Sequence, residues 1–102
     1  MIKKTLKDIK LGSGALIPAG TELTLALAEN GIKTTFGERT VRLSYRTAKA
    51  NFGAPFTKEP GLATMEKWSD SGIARSVTGT KIEPDGYGSD CGPSWMRAVG
   101  VI

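Results

Sequence analysis

Apolar and polar residues first alternate cleanly in the stretch TELTLALAENG, where Leu23, Leu25 and Leu27 are interleaved with Glu22, Thr24 and Ala26. A period of two places the leucines on one face, which predicts a half-buried strand. The preceding LIPAG holds Pro18 and Gly20, residues suited to a turn that feeds the strand. Asn30-Gly31 follows it, a pair that tolerates the positive φ of a tight hairpin turn. IKTTF then reads as a second strand, broken at Gly37-Glu38, and RTVRLSYR as a third with Val41, Leu43 and Tyr45 on its buried side. Three consecutive strands joined by short turns predict a meander.

The pattern lapses between Ala48 and Glu59, a loop punctuated by Gly53 and Pro55 and ended by Pro60. It carries Phe52 and Phe56, which are expected to plug one end of a barrel. PGLATMEKWSDSG is the one predicted helix. Pro60 suits a first helical position, Leu62, Met65 and Trp68 recur every three residues, and Gly72 falls where a C-terminal cap belongs. A helix of about ten residues is marginal alone, so it must be held by packing that stripe on a sheet. IARSV and TKIE, separated by Thr78-Gly79, read as two further short strands. The chain ends on SWMRAVGVI, where Trp95, Arg97, Val99 and Val101 share one parity and Met96, Ala98, Gly100 and Ile102 the other. Apolar residues on both parities predict a strand covered on both faces or closing a barrel.

Length and composition agree with one soluble core. A chain of 102 residues with 39% hydrophobic and 24% charged residues has the size and balance of a single globular domain. No stretch approaches the roughly 18 apolar residues of a membrane span. The first residues interleave lysines with apolar positions, so a signal peptide is not expected and a cytosolic protein is. The single Cys91 fits, since it allows no intramolecular disulfide. The net charge is +4, and residues 1–51 carry nine of the 14 Lys and Arg against four acids. A basic first half is suited to nucleic acid or an acidic protein face, and equally to plain solubility.

Most catalytic readings fail on residue type. There is no histidine, which removes the commonest general base, the usual zinc ligand and the partner of most cysteine nucleophiles. A neighbouring carboxylate, Asp90, disfavours a thiolate at Cys91. Glu83, Asp85 and Asp90 lie among Gly86, Gly88 and Gly92, a flexible setting for carboxylates that hydrolysis would need at a fixed separation. As a calcium loop DGYGSD departs from the EF-hand order, with Tyr87 and Ser89 where acids belong. Neither LGSGALIPAG nor GYGSDCG has the Lys-Ser or Lys-Thr of a phosphate loop. The expectation is a protein that is not an enzyme and uses no cofactor or metal.

What survives is charge on a strand. Thr40, Arg42, Ser44 and Arg46 alternate with Val41, Leu43 and Tyr45, which predicts two arginines on one face, about 13 Å apart at about 3.3 Å per residue. Lys33 on the neighbouring strand and Lys49 just beyond extend the patch. Arginine's planar fork suits phosphate and carboxylate alike. Lys3, Lys4, Lys7 and Lys10 interleave with Ile2, Leu6 and Ile9 as a basic arm or a first strand within residues 1–12. Trp68 and Trp95 are read as core residues in preference to base-stacking platforms.

The steps IPAGT, WSDSG, TGTKIEPDG and PSW, taken in this order, resemble small proteins carried by bacteriophages and prophages. ALIPAGTELTL, in addition, resembles the opening strand of small SH3-like barrels. The resemblance implies a phage accessory protein acting in the cytoplasm of a bacterial host, and it assigns no site residues. The fold expected is mainly β: one domain over residues 1–102, a small SH3-like β-barrel of about six short strands with one short helix. The function expected is binding, with Arg42, Arg46, Lys33 and Lys49 against nucleic acid. The alternatives are an inhibitor of a host defence system, in the manner of anti-CRISPR proteins, that docks on a host protein complex handling nucleic acid, and a virion or assembly protein.

Overall fold

The structure is a computed structural model and describes residues 1–101. Among the described residues nine short strands form four antiparallel sheets: β1 (Ile2–Lys4) with β4 (Glu22–Thr24), β2 (Ile9–Lys10) with β3 (Leu16–Ile17), β8 (Ala74–Arg75) with β9 (Lys81–Ile82), and a three-stranded meander of β5 (Ala26–Ala28), β6 (Gly31–Phe36) and β7 (Arg39–Leu43). A 3-10 turn (Tyr45–Thr47) runs into α1 (Ala48–Phe52), followed later by α2 (Leu62–Ser71) and α3 (Trp95–Ala98). The fold is mainly β. Among the described residues no sheet closes into a barrel, and no helix is long and apolar enough to cross a membrane.

The meander forms as its alternation predicts, with two refinements. The leucine-rich stretch is divided at Leu25, whose N–H donates to the Met1 carbonyl at 2.6 Å, so that its first half pairs with β1 and its second with β6. Ala28 pairs with Gly31, which makes Glu29-Asn30 the loop and puts Gly31 into the strand. The basic N-terminal segment is woven into the fold as β1 and β2. Its apolar alternation does not set the buried face, for Ile2 and Leu6 are exposed while Thr5 is buried. Thr5 is satisfied there by donating its hydroxyl to the Pro18 carbonyl at 2.9 Å and accepting from the Thr21 N–H.

The predicted closing strand is a helix. Ser94 caps it, its hydroxyl oxygen accepting from the Arg97 N–H at 3.1 Å. Apolar residues on both strand parities turn out to be the helical set Trp95, Met96 and Val99, spaced one and four apart, all packed on the core. Ile102 lies outside the described residues. A truncation after Ala98 therefore strips no ladder from a sheet. It removes the half-buried Val99, at a cost on the order of 1 kcal/mol, roughly half that of a fully buried valine. We expect such a truncation to melt cooperatively at a lowered temperature by circular dichroism; a chain already unfolded at 25 °C would contradict this.

The segment expected to be a loop after Ala48 also holds a helix. Tyr45, Ala48 and Phe52 are spaced three and four apart and bury one stripe. Phe52 and Phe56, with centroids 5.9 Å apart, lie inside the main core and plug no barrel end. α2 matches its prediction at the C-terminus, where Gly72 is left-handed at φ 73° and donates to the Trp68 carbonyl at 2.9 Å. At the N-terminus Gly61, not Pro60, precedes the first turn. A spacing of three drifts by about 60° per step on a helix turning about 100° per residue, so only the central Met65 is buried and Leu62 is exposed.

Two clusters make the core. Ile9, Ile17, Leu23, Leu25, Ile32, Tyr45, Phe52, Phe56, Val77 and Trp95 pack as the larger, and Met65, Ala74 and Met96 as the smaller. Trp68 and Val99 touch both.

Candidate nucleic-acid interface

The meander buries one face and offers the other. In the β6–β7 register Ile32 faces Leu43 and Thr34 faces Val41 on the core side, whereas Lys33 faces Arg42 and Thr35 faces Thr40 on the solvent side. Lys33 and Arg42 are thus direct cross-strand neighbours, and both are exposed. Cβ atoms of such a pair stand about 4.5–5.5 Å apart, and like charges so placed repel. Among the described residues neither is in an ion pair, so an anion would relieve their repulsion.

Two hollows border it. One of about 210 Å³ is lined by residues 28–33 and Arg42, the other of about 360 Å³ by Lys33, Glu22, Thr24, Ala26 and three further threonines, Thr34, Thr35 and Thr40. Glu29, the acid of the first hollow, is already engaged: its Oε1 accepts from Arg97 Nη2 at 2.6 Å. Arg97 in turn lies over the Tyr87 ring at 4.9 Å and donates to the Asp85 carbonyl. Desolvation by burial lowers the Arg97 guanidinium, and Glu29 and Tyr87 more than reverse this, so that it sits above its ordinary value. The carboxylate of Glu29 is thereby engaged by the C-terminal segment.

Tyr45 steadies the hairpin from below. Its buried hydroxyl donates to the Ala28 carbonyl at 2.6 Å, at the residue pair that closes the β5–β6 turn. Burial pushes this phenol well above its ordinary range, and the Asp90 charge pushes the same way. The phenol remains a donor throughout the physiological range.

The four basic residues expected to form one patch are divided. Lys33 and Arg42 come together. Arg46 does not extend β7, because the chain leaves the strand after Leu43 and Tyr45 must turn inward. Its Nε instead pairs with Glu59 Oε1 at 3.1 Å, an exposed ion pair of the kind worth little to stability. Lys49 rides on α1, exposed, with its carbonyl accepting from the Gly53 N–H. Arg39 was not foreseen. It opens β7 after the Gly37-Glu38 turn, reaches Ser13 Oγ at 3.4 Å, and shares with Arg42 a third hollow of about 290 Å³ beside residues 11–13. Its place at the strand's turn end, outside the period-two row of Arg42, is what hid it.

The acidic, glycine-rich loop from Glu83 to Ser94 is committed to its own structure. Asp90 Oδ1 accepts from the Gly92 N–H at 2.9 Å and Oδ2 from the Thr78 hydroxyl at 2.7 Å. Buried Ser94 donates its hydroxyl to the Pro84 carbonyl, while its N–H donates to the Gly86 carbonyl. Among the described residues no group of three or more Cys, Asp or Glu side chains is placed to hold a metal ion. Comparison with protein-family models, curated proteins and solved structures finds no match.

Proposed function

We propose that the protein is a non-enzymatic binding module that holds nucleic acid on the solvent face of the β5–β6–β7 sheet, as a phage accessory protein in the cytoplasm of its bacterial host. The observation that carries this reading is the directly opposed Lys33–Arg42 pair, whose repulsion a phosphate would relieve. Thr35 and Thr40 beside it add hydroxyl donors for phosphate oxygens, and Arg39 extends the charge along β7. The cellular setting rests on the resemblance of the IPAGT, WSDSG, TGTKIEPDG and PSW steps to phage proteins. The chemistry does not depend on it.

Phosphate contacts leave a measurable signature in salt. Each one displaces counterions and adds about 0.9 to the slope of log K against log salt on duplex DNA. Mobility-shift titrations at about 50 and 200 mM salt should therefore show Lys33→Ala with Arg42→Ala weakening binding and lowering the slope by about 1.8. Arg46→Ala with Lys49→Ala should leave that slope almost unchanged. Absence of any shift at the lower salt would sink the reading, and an unaltered slope in the first double variant would move the site elsewhere.

A further inference from the structure

Away from the sheet face, Thr57, Pro60, Trp68, Gly79 and Trp95 line a hollow of about 340 Å³ together with the exposed Lys58 and Arg75. This volume falls in the range of small-ligand pockets, which are apolar with a few polar groups fixing orientation. The two indoles have different standing. Trp95 is 2% exposed, and its Nε1–H donates to Thr57 Oγ1 at 2.8 Å, so it is a fixed wall. Trp68 is half-buried and lines the hollow.

The cations are unclaimed. Among the described residues neither Lys58 nor Arg75 has a carboxylate partner, since Glu59, next to Lys58, is taken by Arg46 and the other ion pair joins Arg97 to Glu29. Arg75 Nη1 donates to the Gly79 carbonyl at 3.2 Å, which fixes one end of the guanidinium and leaves its other donors free. No acid lines the hollow. A planar apolar surface flanked by two unpaired cations is complementary to a flat ring bearing an anionic group. A nucleotide has that chemistry: every base offers a π-face for stacking on an aromatic side chain, and its phosphate suits an arginine fork and a lysine.

We propose that this hollow binds a single unpaired nucleotide, free or within a strand, its base against Trp68 and its phosphate between Lys58 and Arg75. The site uses none of the residues of the sheet face and does not rest on that reading.

Trp68 and Trp95 are the only tryptophans, so their fluorescence reports directly on the site. Adenosine monophosphate, adenosine, inorganic phosphate and tetra-adenylate are titrated in parallel. The monophosphate should quench saturably, with adenosine and phosphate each at least tenfold weaker. Lys58→Ala with Arg75→Ala, both at exposed positions, should lower monophosphate affinity at least tenfold, to the level of adenosine. Trp68→Leu should weaken adenosine and monophosphate alike; if it loosens the fold, the double variant carries the test alone. Tetra-adenylate binding tenfold tighter than the monophosphate supports a strand as the source, and equal binding supports a free nucleotide. Phosphate alone binding as tightly as the monophosphate, or an unaltered double variant, overturns the proposal. Lys33→Ala with Arg42→Ala should leave the response of these tryptophans to the monophosphate and to tetra-adenylate unchanged, so this site and the sheet face can fail separately.

Discussion

Replacing Trp95 with alanine is expected to destabilise the protein by about 3–5 kcal/mol, a large share of the roughly 5–15 kcal/mol that holds a small domain folded. The side chain is 2% exposed and belongs to the larger core cluster, so its removal costs both the transfer of an indole and the cavity left behind. Polar consequences follow. Thr57 N–H and hydroxyl both donate to the Val77 carbonyl, and the same hydroxyl oxygen accepts from Trp95 Nε1–H. The indole therefore joins α3, the segment after Phe56 and Val77, two residues past β8, at one point. Trp95→Phe keeps most of the volume and loses the donor, and should cost less than half as much. Urea denaturation of both variants separates the two contributions. A loss below about 1.5 kcal/mol for Trp95→Ala, half the lower end expected for such a truncation, would show that the indole is not central to the core.

The second large effect is expected at Gly31. Its φ is +144°, and a Cβ there would stand 2.6 Å from the carbonyl oxygen of Leu43 on the adjacent strand. Backbone cannot yield as the end of a flexible side chain can. A sparsely populated φ costs of order 1–3 kcal/mol and forced overpacking about 1–3 kcal/mol, so Gly31→Ala should lose about 2–6 kcal/mol. Gly37→Ala is the control: φ is +63°, nothing stands within 4 Å, and only the left-handed penalty of about 1–2 kcal/mol applies. The clash lies two residues from Lys33 and one from Arg42, so the variant should lose nucleic-acid affinity along with stability. Equal melting temperatures for the two alanine variants would contradict the close approach.

The same glycine shows how much of the fold was legible. Asn30-Gly31 signals a hairpin, and there is one, but the residue composition of a turn does not fix its register. Pairing of Leu27 with Ile32 and of Ala26 with Lys33 decides it, and that depends on which side chains meet in the core. Periodicity found every strand of the meander and the one long helix. It failed at the short helices, where four or five residues hold too few positions to separate a period of 2 from one of 3.6. Ser94 before Trp95, a capping residue before an apolar run, was the available sign of α3.

The site was half legible for the same reason. Alternation placed Arg42 on the solvent face and Lys33 beside it, because both lie well inside regular strands. Arg46 was assigned by continuing a strand past Ser44, and the inward turn of Tyr45 ends that strand. The Trp68 hollow was out of reach, since Lys58, Trp68, Arg75 and Trp95 converge only through the packing of α2, β8 and α3.

Cys91 is exposed and is the only thiol, on a loop pinned by Asp90 and by the Gly88 N–H to Gly92 carbonyl bond. It lines neither the Lys33–Arg42 hollow nor the Trp68 hollow. The molecule thus carries one natural address for a dye, a spin label or a surface tether, and every copy so attached presents the sheet face and the Trp68 hollow in a single defined orientation.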